Sequence, residues 1–187
     1  MEDVVRRKLK ESADVKLKLD AKVIVDIANK IIESYKKGKK VVLFGNGGSA
    51  ADAQHLAAEL VGKYKMVRTP LPAIALSTNT SILTACANDY GYDTVFAKQV
   101  EALVETDDVV IGISTSGTSP NVLEAMRKAK EKGAFTVGFS GESLAGLGEI
   151  ADICLAVPSK DTPRIQESHI TAGHIVCFLV EKALFGD

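Results

Sequence analysis

The sequence predicts an α/β fold: a three-layer αβα sandwich on a five-stranded, parallel, doubly wound sheet, with an N-terminal helical extension. Short runs dominated by Val, Ile, Leu and Phe recur at 40–44, 73–77, 109–114, 135–140 and 153–157. Segments of helical character separate them. Near-continuous apolar strands joined by helices imply a parallel sheet, because each crossover lays a helix on the sheet and both faces become buried. The length of 187 residues, with 46% hydrophobic and 25% charged side chains, suits a single domain with a real core.

Residues 3–37 read as helix in two pieces. Ile24, Ile27, Ala28, Ile31 and Tyr35 follow helical spacing, and Gly38 stops the run. This segment precedes the first strand, so 1–37 is an extension and 38–187 is the αβα core. Such an extension either covers the sheet or packs on a neighbouring subunit. Helices are expected at 48–62, 80–88, 93–104, 120–132 and 163–184, with a short helical turn near 142–148. Strand 109–114 leads to Ser119, a plausible N-cap, and Pro120, a good first helical residue.

Composition narrows the function. The net charge of −1 gives no support to a nucleic-acid partner. No apolar run approaches the ~20 residues needed to span a bilayer, and the charged N-terminus lacks a signal-peptide core. Cys86, Cys154 and Cys177 are widely spaced among apolar neighbours, which reads as buried free thiols in a reducing cytoplasm.

Ligands of doubly wound sheets bind beyond the carboxyl ends of the strands. Two loops there are unusual. The first, Gly45-Asn46-Gly47-Gly48-Ser49-Ala50, opens a helix. Its glycines allow close backbone approach, and the helix N-terminus offers free N–H groups. It fits G-x-G-x-x-A loosely, but Ser77-Thr78-Asn79 supplies no ribose-binding acid, which weighs against a dinucleotide. A tight turn with no ligand would use the same glycines. The second loop, Ser114-Thr115-Ser116-Gly117-Thr118-Ser119, crowds hydroxyls at another helix N-terminus. Hydroxyls, backbone donors and the helix dipole suit a phosphate monoester. No Lys follows the glycine, so a triphosphate loop is not implied. An N-capped turn with solvated hydroxyls is the alternative; a second glycine-rich loop at the same sheet edge favours phosphate.

The three histidines fall in two stretches. His55 and Glu59 are four apart and share one helix face, where they suit either a metal or a hydrogen-bonded pair. Gln166 and His174 are eight apart, so on a straight helix they differ by ~80° in azimuth and ~12 Å along the axis. One metal could take both only if the helix bends, with Gly173 a possible place, or if the two side chains serve different copies of the site. His169 shares the face of Gln166 and reads as structural.

The pairing of Gly45-Asn46-Gly47-Gly48-Ser49 with Ser114-Thr115-Ser116-Gly117 resembles the sugar isomerase (SIS) domain family, and within it the phosphoheptose isomerases. The similarity runs from about residue 40 to 184 and takes in Asn88-Asp89 and Arg164-Ile165-Gln166-Glu167. The resemblance implies one Zn²⁺ per subunit, with His55, Glu59, Gln166 and His174 as ligands. It implies sugar-phosphate contacts from Asn46, Gly47, Gly48, Glu59, Asn88, Asp89, Ser114, Thr115, Ser116, Ser119 and Gln166. The activity expected is conversion of sedoheptulose 7-phosphate to D-glycero-D-manno-heptose 7-phosphate for surface heptose, with Glu59 as carbon base and His174 as partner acid. A cytoplasmic homotetramer with sites between subunits is also implied. Some relatives carry an acid just before Arg-Ile-Gln-Glu; here that residue is Pro163. The competing readings are a non-catalytic SIS-domain protein that binds a replication-initiation factor, and an isomerase of another phosphosugar.

Overall fold

The computed structural model describes residues 1–186. Five strands form one sheet in the order β2-β1-β3-β4-β5, every neighbouring pair parallel. They are β1 (Val41–Gly45), β2 (Ala73–Ala75), β3 (Val109–Ser114), β4 (Phe135–Ser140) and β5 (Ile153–Ala156). The helices are α1 (Glu2–Lys16), α2 (Ala21–Lys36), α3 (Gly48–Val61), α4 (Thr80–Tyr90), α5 (Val95–Leu103), α6 (Pro120–Glu131), α7 (Leu147–Ile150) and α8 (Thr162–Phe185).

Strand periodicity divides the core into two layers. Val41 and Leu43 of β1, with Val109, Ile111 and Ile113 of β3, face a core shared with α2, α3 and α8. Val42, Phe44 and Val110 point the other way, onto α5, α6 and α7. All five β1 residues are buried, as a central parallel strand requires.

Three expectations shift. Strand β2 ends at Ala75, short of Ser77, because it is an edge strand and the Thr78 hydroxyl folds back to the Ala75 carbonyl (3.0 Å). The short helix lies at Leu147–Ile150 rather than 142–148. Before it, the Ser140 hydroxyl donates to the Ser143 carbonyl and Gly146 takes a left-handed φ of 69°, which shapes 141–146 as a loop. At 93–104 the helix proper starts at Val95, after a 3-10 turn at Tyr92–Thr94.

Helix α8 runs uninterrupted through Gly173. The glycine serves packing instead: a Cβ there would stand 2.6 Å from both Leu56 methyls, so its absence lets α8 approach α3. That close crossing sets histidines of the two helices side by side. The N-terminal extension differs in its two halves. Helix α2 buries Ile24, Ile27, Ala28 and Ile31, whereas α1 has no buried residue and leaves Val5 57% and Leu9 66% exposed.

Candidate active site and metal-binding group

The order β2-β1-β3 makes the gap between β1 and β3 the topological switch point, where the chain leaves in opposite directions and a crevice opens at the strands' carboxyl ends. The glycine loop follows β1 and the hydroxyl loop follows β3, so the fold brings both to this crevice. Asn46 and Asn121 clasp across it, each amide donating to the other at 2.9 Å, and the Tyr92 hydroxyl adds a third bond to Asn46 Oδ1 (3.2 Å). Asn121 is 2% exposed, so Asn46 is held by a rigid partner.

In the second loop Ser119 is the N-cap residue of α6, but its hydroxyl makes no cap bond. It meets the Ser114 hydroxyl at 2.9 Å instead, and Ser114 also reaches the Ser116 hydroxyl (3.3 Å). The Thr118 N–H and hydroxyl both donate to the Ser116 hydroxyl (3.2 Å each). Pro120 has no N–H and the Val122 and Leu123 N–H groups turn to the Ser119 carbonyl (3.0 Å each), so the α6 start offers its dipole and the Asn121 N–H beside a cluster of rotatable hydroxyls, a candidate cradle for an anion.

The second group of residues lies where α3 and α8 cross. His55 Nε2 stands 2.9 Å from His174 Nε2 and 3.1 Å from Glu59 Oε1. One ligand atom from each of the three lies within 4.8 Å of the others. Two nitrogens on one tetrahedral zinc stand about 3.3 Å apart, and two imidazoles with a carboxylate form a common zinc donor set. Three acceptor-capable atoms converging on one point fit a bound cation better than mutual hydrogen bonding, which can satisfy one His–His pair at a time. The Tyr64 ring packs 5.8 Å from that of His174.

Gln166 is the fourth expected ligand. It lies eight residues before His174 on the unbroken α8, and its side chain covers Gly48, where an added Cβ would meet Gln166 Nε2. Gln166 thus sits at the start of α3, beside the glycine loop. Asn88 and Asp89, near the end of α4, are exposed and bond each other (2.9 Å). Neither hydrogen-bonds to the two loops among the described residues.

His169 is fully buried, with Nε2 3.0 Å from the Ser140 carbonyl, which fixes the Nε2–H tautomer. Its Nδ1 finds no partner among the described residues. Burial, only partly opposed by the Ser140 bond, pushes its pKa down to about 4. A histidine depressed from 6.5 to about 4 loses stability on acidification, because the unfolded chain takes up a proton that the folded chain refuses. Its share is intact above pH 6.5 and drains away as pH falls toward 4. Replacing His169 by Asn is therefore expected to destabilise at neutral pH, with a deficit that narrows by about 2 kcal/mol between pH 7 and pH 4.5. Denaturant unfolding at the two pH values measures it; an unchanged deficit would mean that His169 titrates normally.

Sequence reasoning missed Asp52, Tyr64, Asn121 and Tyr92. Asp52 was legible: Asp52, His55 and Glu59 recur at helical spacing on α3. Burial pushes its carboxyl up to about 6, against a smaller opposing effect of His55, and its Oδ2 lacks a partner among the described residues. The sign here is the reverse of that at His169, since stability from Asp52 is lost as pH rises through about 6. Comparing the His169 variant with its parent cancels it.

A sequence profile described as the SIS domain matches residues 6–141. Phosphoheptose isomerase from Pelobacter propionicus is 58% identical over 87% of this chain and 86% of its own length. That from Aquifex aeolicus is 55% identical over 97% of each chain. Among solved structures, a phosphoheptose isomerase from Neisseria gonorrhoeae superposes with a TM-score of 0.91 at 39% identity, covering 97% of this chain and 98% of that one.

Proposed function

This chain belongs to the SIS-domain family, and we propose that it is a phosphoheptose isomerase, an aldose–ketose isomerase that converts sedoheptulose 7-phosphate to D-glycero-D-manno-heptose 7-phosphate. The observation that carries the proposal is the presence in one domain of an anion cradle on β3–α6, at the carboxyl ends of the strands, and of a His–Glu–His group where α3 and α8 cross. A sugar phosphate has an anion at one terminus and its reacting carbonyl at the other.

In this reading Ser114, Thr115, Ser116 and Ser119 hold the phosphate at the positive end of the α6 dipole. Phosphate binding far from the reacting carbons fixes their orientation. Asn46, Gly47, Gly48 and Gln166 contact the sugar chain along the crevice. Glu59 takes a proton from the carbon beside the carbonyl and returns it to the neighbouring carbon, through an enediol. His174 moves the matching proton between the two oxygens. His55, Glu59 and His174 would hold Zn²⁺, which supplies polarisation of the carbonyl when bound.

Asn88 and Asp89 complete the site through assembly. A homotetramer with sites between subunits would let them serve a neighbouring copy, and the apolar exposure of α1 and of Ile175 (41%) and Phe178 (39%) on α8 supports such contacts. The surface heptose product would be made in the cytoplasm. No helix among the described residues is long and apolar enough to cross a membrane.

The test is direct: purified protein with Zn²⁺ is given sedoheptulose 7-phosphate and the aldose product is followed. Turnover with a preference for this substrate over hexose and pentose phosphates is expected. Absence of turnover with zinc bound would favour a non-catalytic SIS-domain role.

A further inference from the structure

Arg68 and Glu181 form an ion pair that none of the chemistry above uses. Both side chains are 2% exposed, and Arg68 Nε lies 3.1 Å from Glu181 Oε1. We propose that this pair is a positioning device that locks the end of α3 carrying Glu59 to the stretch of α8 carrying His174. The proposal rests on the isomerase reading of Glu59 and His174.

The main-chain contacts carry the argument. The last carbonyls of a helix lack intrahelical donors. Arg68 supplies them at α3: Nη2 donates to the Glu59 carbonyl (2.9 Å) and Nη1 to the Leu60 carbonyl (2.8 Å). On the other side Glu181 accepts N–H bonds from Tyr64 (3.1 Å), Lys65 (2.8 Å) and Met66 (3.0 Å). The carboxylate therefore fixes the turn that lays the Tyr64 ring against His174. His174 and Glu181 are seven residues apart, close to two helical turns, so they leave the same face of α8. One buried pair thus restrains the backbone of Glu59, the ring beside His174 and the helix that carries His174.

Cohesion alone does not explain it. A buried ion pair is seldom more stabilising than apolar side chains of similar volume. Apolar side chains would join α3 to α8 but would leave the Glu59 carbonyl and the Tyr64 N–H unheld. Lysine would not substitute either, since its donors sit on one atom and cannot fork between Glu181 and two carbonyls.

The experiment compares the full-length parent with Arg68→Met combined with Glu181→Leu, and with Arg68→Lys. The double variant is expected to lose about 10- to 100-fold in kcat with KM within threefold, because small displacements of reacting groups are costly. Its Zn²⁺ affinity, measured by competition with a chromophoric chelator, is expected to fall about tenfold or more. Arg68→Lys should lose kcat in the same sense. A core variant on α2, Ile27→Val, whose melting shift is measured alongside, is the stability control and should retain the parental kcat. Parental kcat and zinc affinity in either folded Arg68 variant would overturn the proposal. So would an Ile27→Val loss equal to theirs, which would make the effect one of stability. An inactive parent would instead remove the isomerase reading, while the zinc measurement would still report on the positioning.

Discussion

Replacing Glu59 by Gln is expected to lower kcat for the heptose phosphate by about 10²- to 10⁴-fold with KM changed only a few-fold. Gln matches Glu in volume, and Glu59 is half-buried on α3 with its carboxylate 3.1 Å from His55, so the substitution preserves packing. What it removes is the ability to accept a proton from carbon. Glu59 carries a chemical tension, however. A carboxylate bound tightly to zinc is less basic, so ligand and base pull against each other. Zinc affinity of the variant separates the roles. Weakened zinc binding together with lost turnover means that Glu59 alternates between metal and substrate. Parental zinc affinity with lost turnover makes it the base alone. Full turnover would remove it from the mechanism.

How much of this was legible in the sequence depends on the range of the interaction. Strands β3 and β4 match their apolar runs to the residue, because central parallel strands are buried on both faces and composition reports that directly. Edge strand β2 does not, since pairing on one side leaves its end to local turn chemistry at Thr78. The helix pair His55–Glu59 could be read from spacing because i, i+4 geometry is local. The meeting of His55 with His174, 119 residues apart, could not. It depends on the Leu56–Gly173 crossing, whose signal is one glycine inside a helix and looks from sequence like a place to bend. The Ser119 hydroxyl shows the same limit. Its position as N-cap was readable, but its turn toward Ser114 follows from the neighbouring loop rather than from α6. Tyr64 gave no sequence signal, because its place beside His174 is set by Glu181, far along the chain.

Removing metal is expected to lower turnover by at least about 100-fold, with recovery on adding back Zn²⁺. The reason lies in the geometry of the three side chains. His55 Nε2 faces both His174 Nε2 and Glu59 Oε1 at hydrogen-bond distance. Without a cation, one N–H at a time can join a pair of these groups, either ring to ring or His55 to the Glu59 carboxylate. Each such bond occupies an atom that the reaction needs free, Glu59 for carbon and His174 for oxygen. A shared cation would replace these bonds and hold the three side chains apart in fixed directions. Loss of metal should therefore lower kcat more than it raises KM, because the phosphate cradle at Ser114, Ser116 and Ser119 is a separate structure on β3–α6. His55→Gln should reproduce the effect, with zinc affinity reduced and phosphate binding kept. Acidification should weaken zinc binding too, since imidazole and carboxylate bind metal only when deprotonated. The measurement is activity after dialysis against a chelator, with metal content determined on the same sample. Undiminished turnover in metal-free protein would end the zinc proposal and leave Glu59 and His174 as a metal-independent acid–base pair.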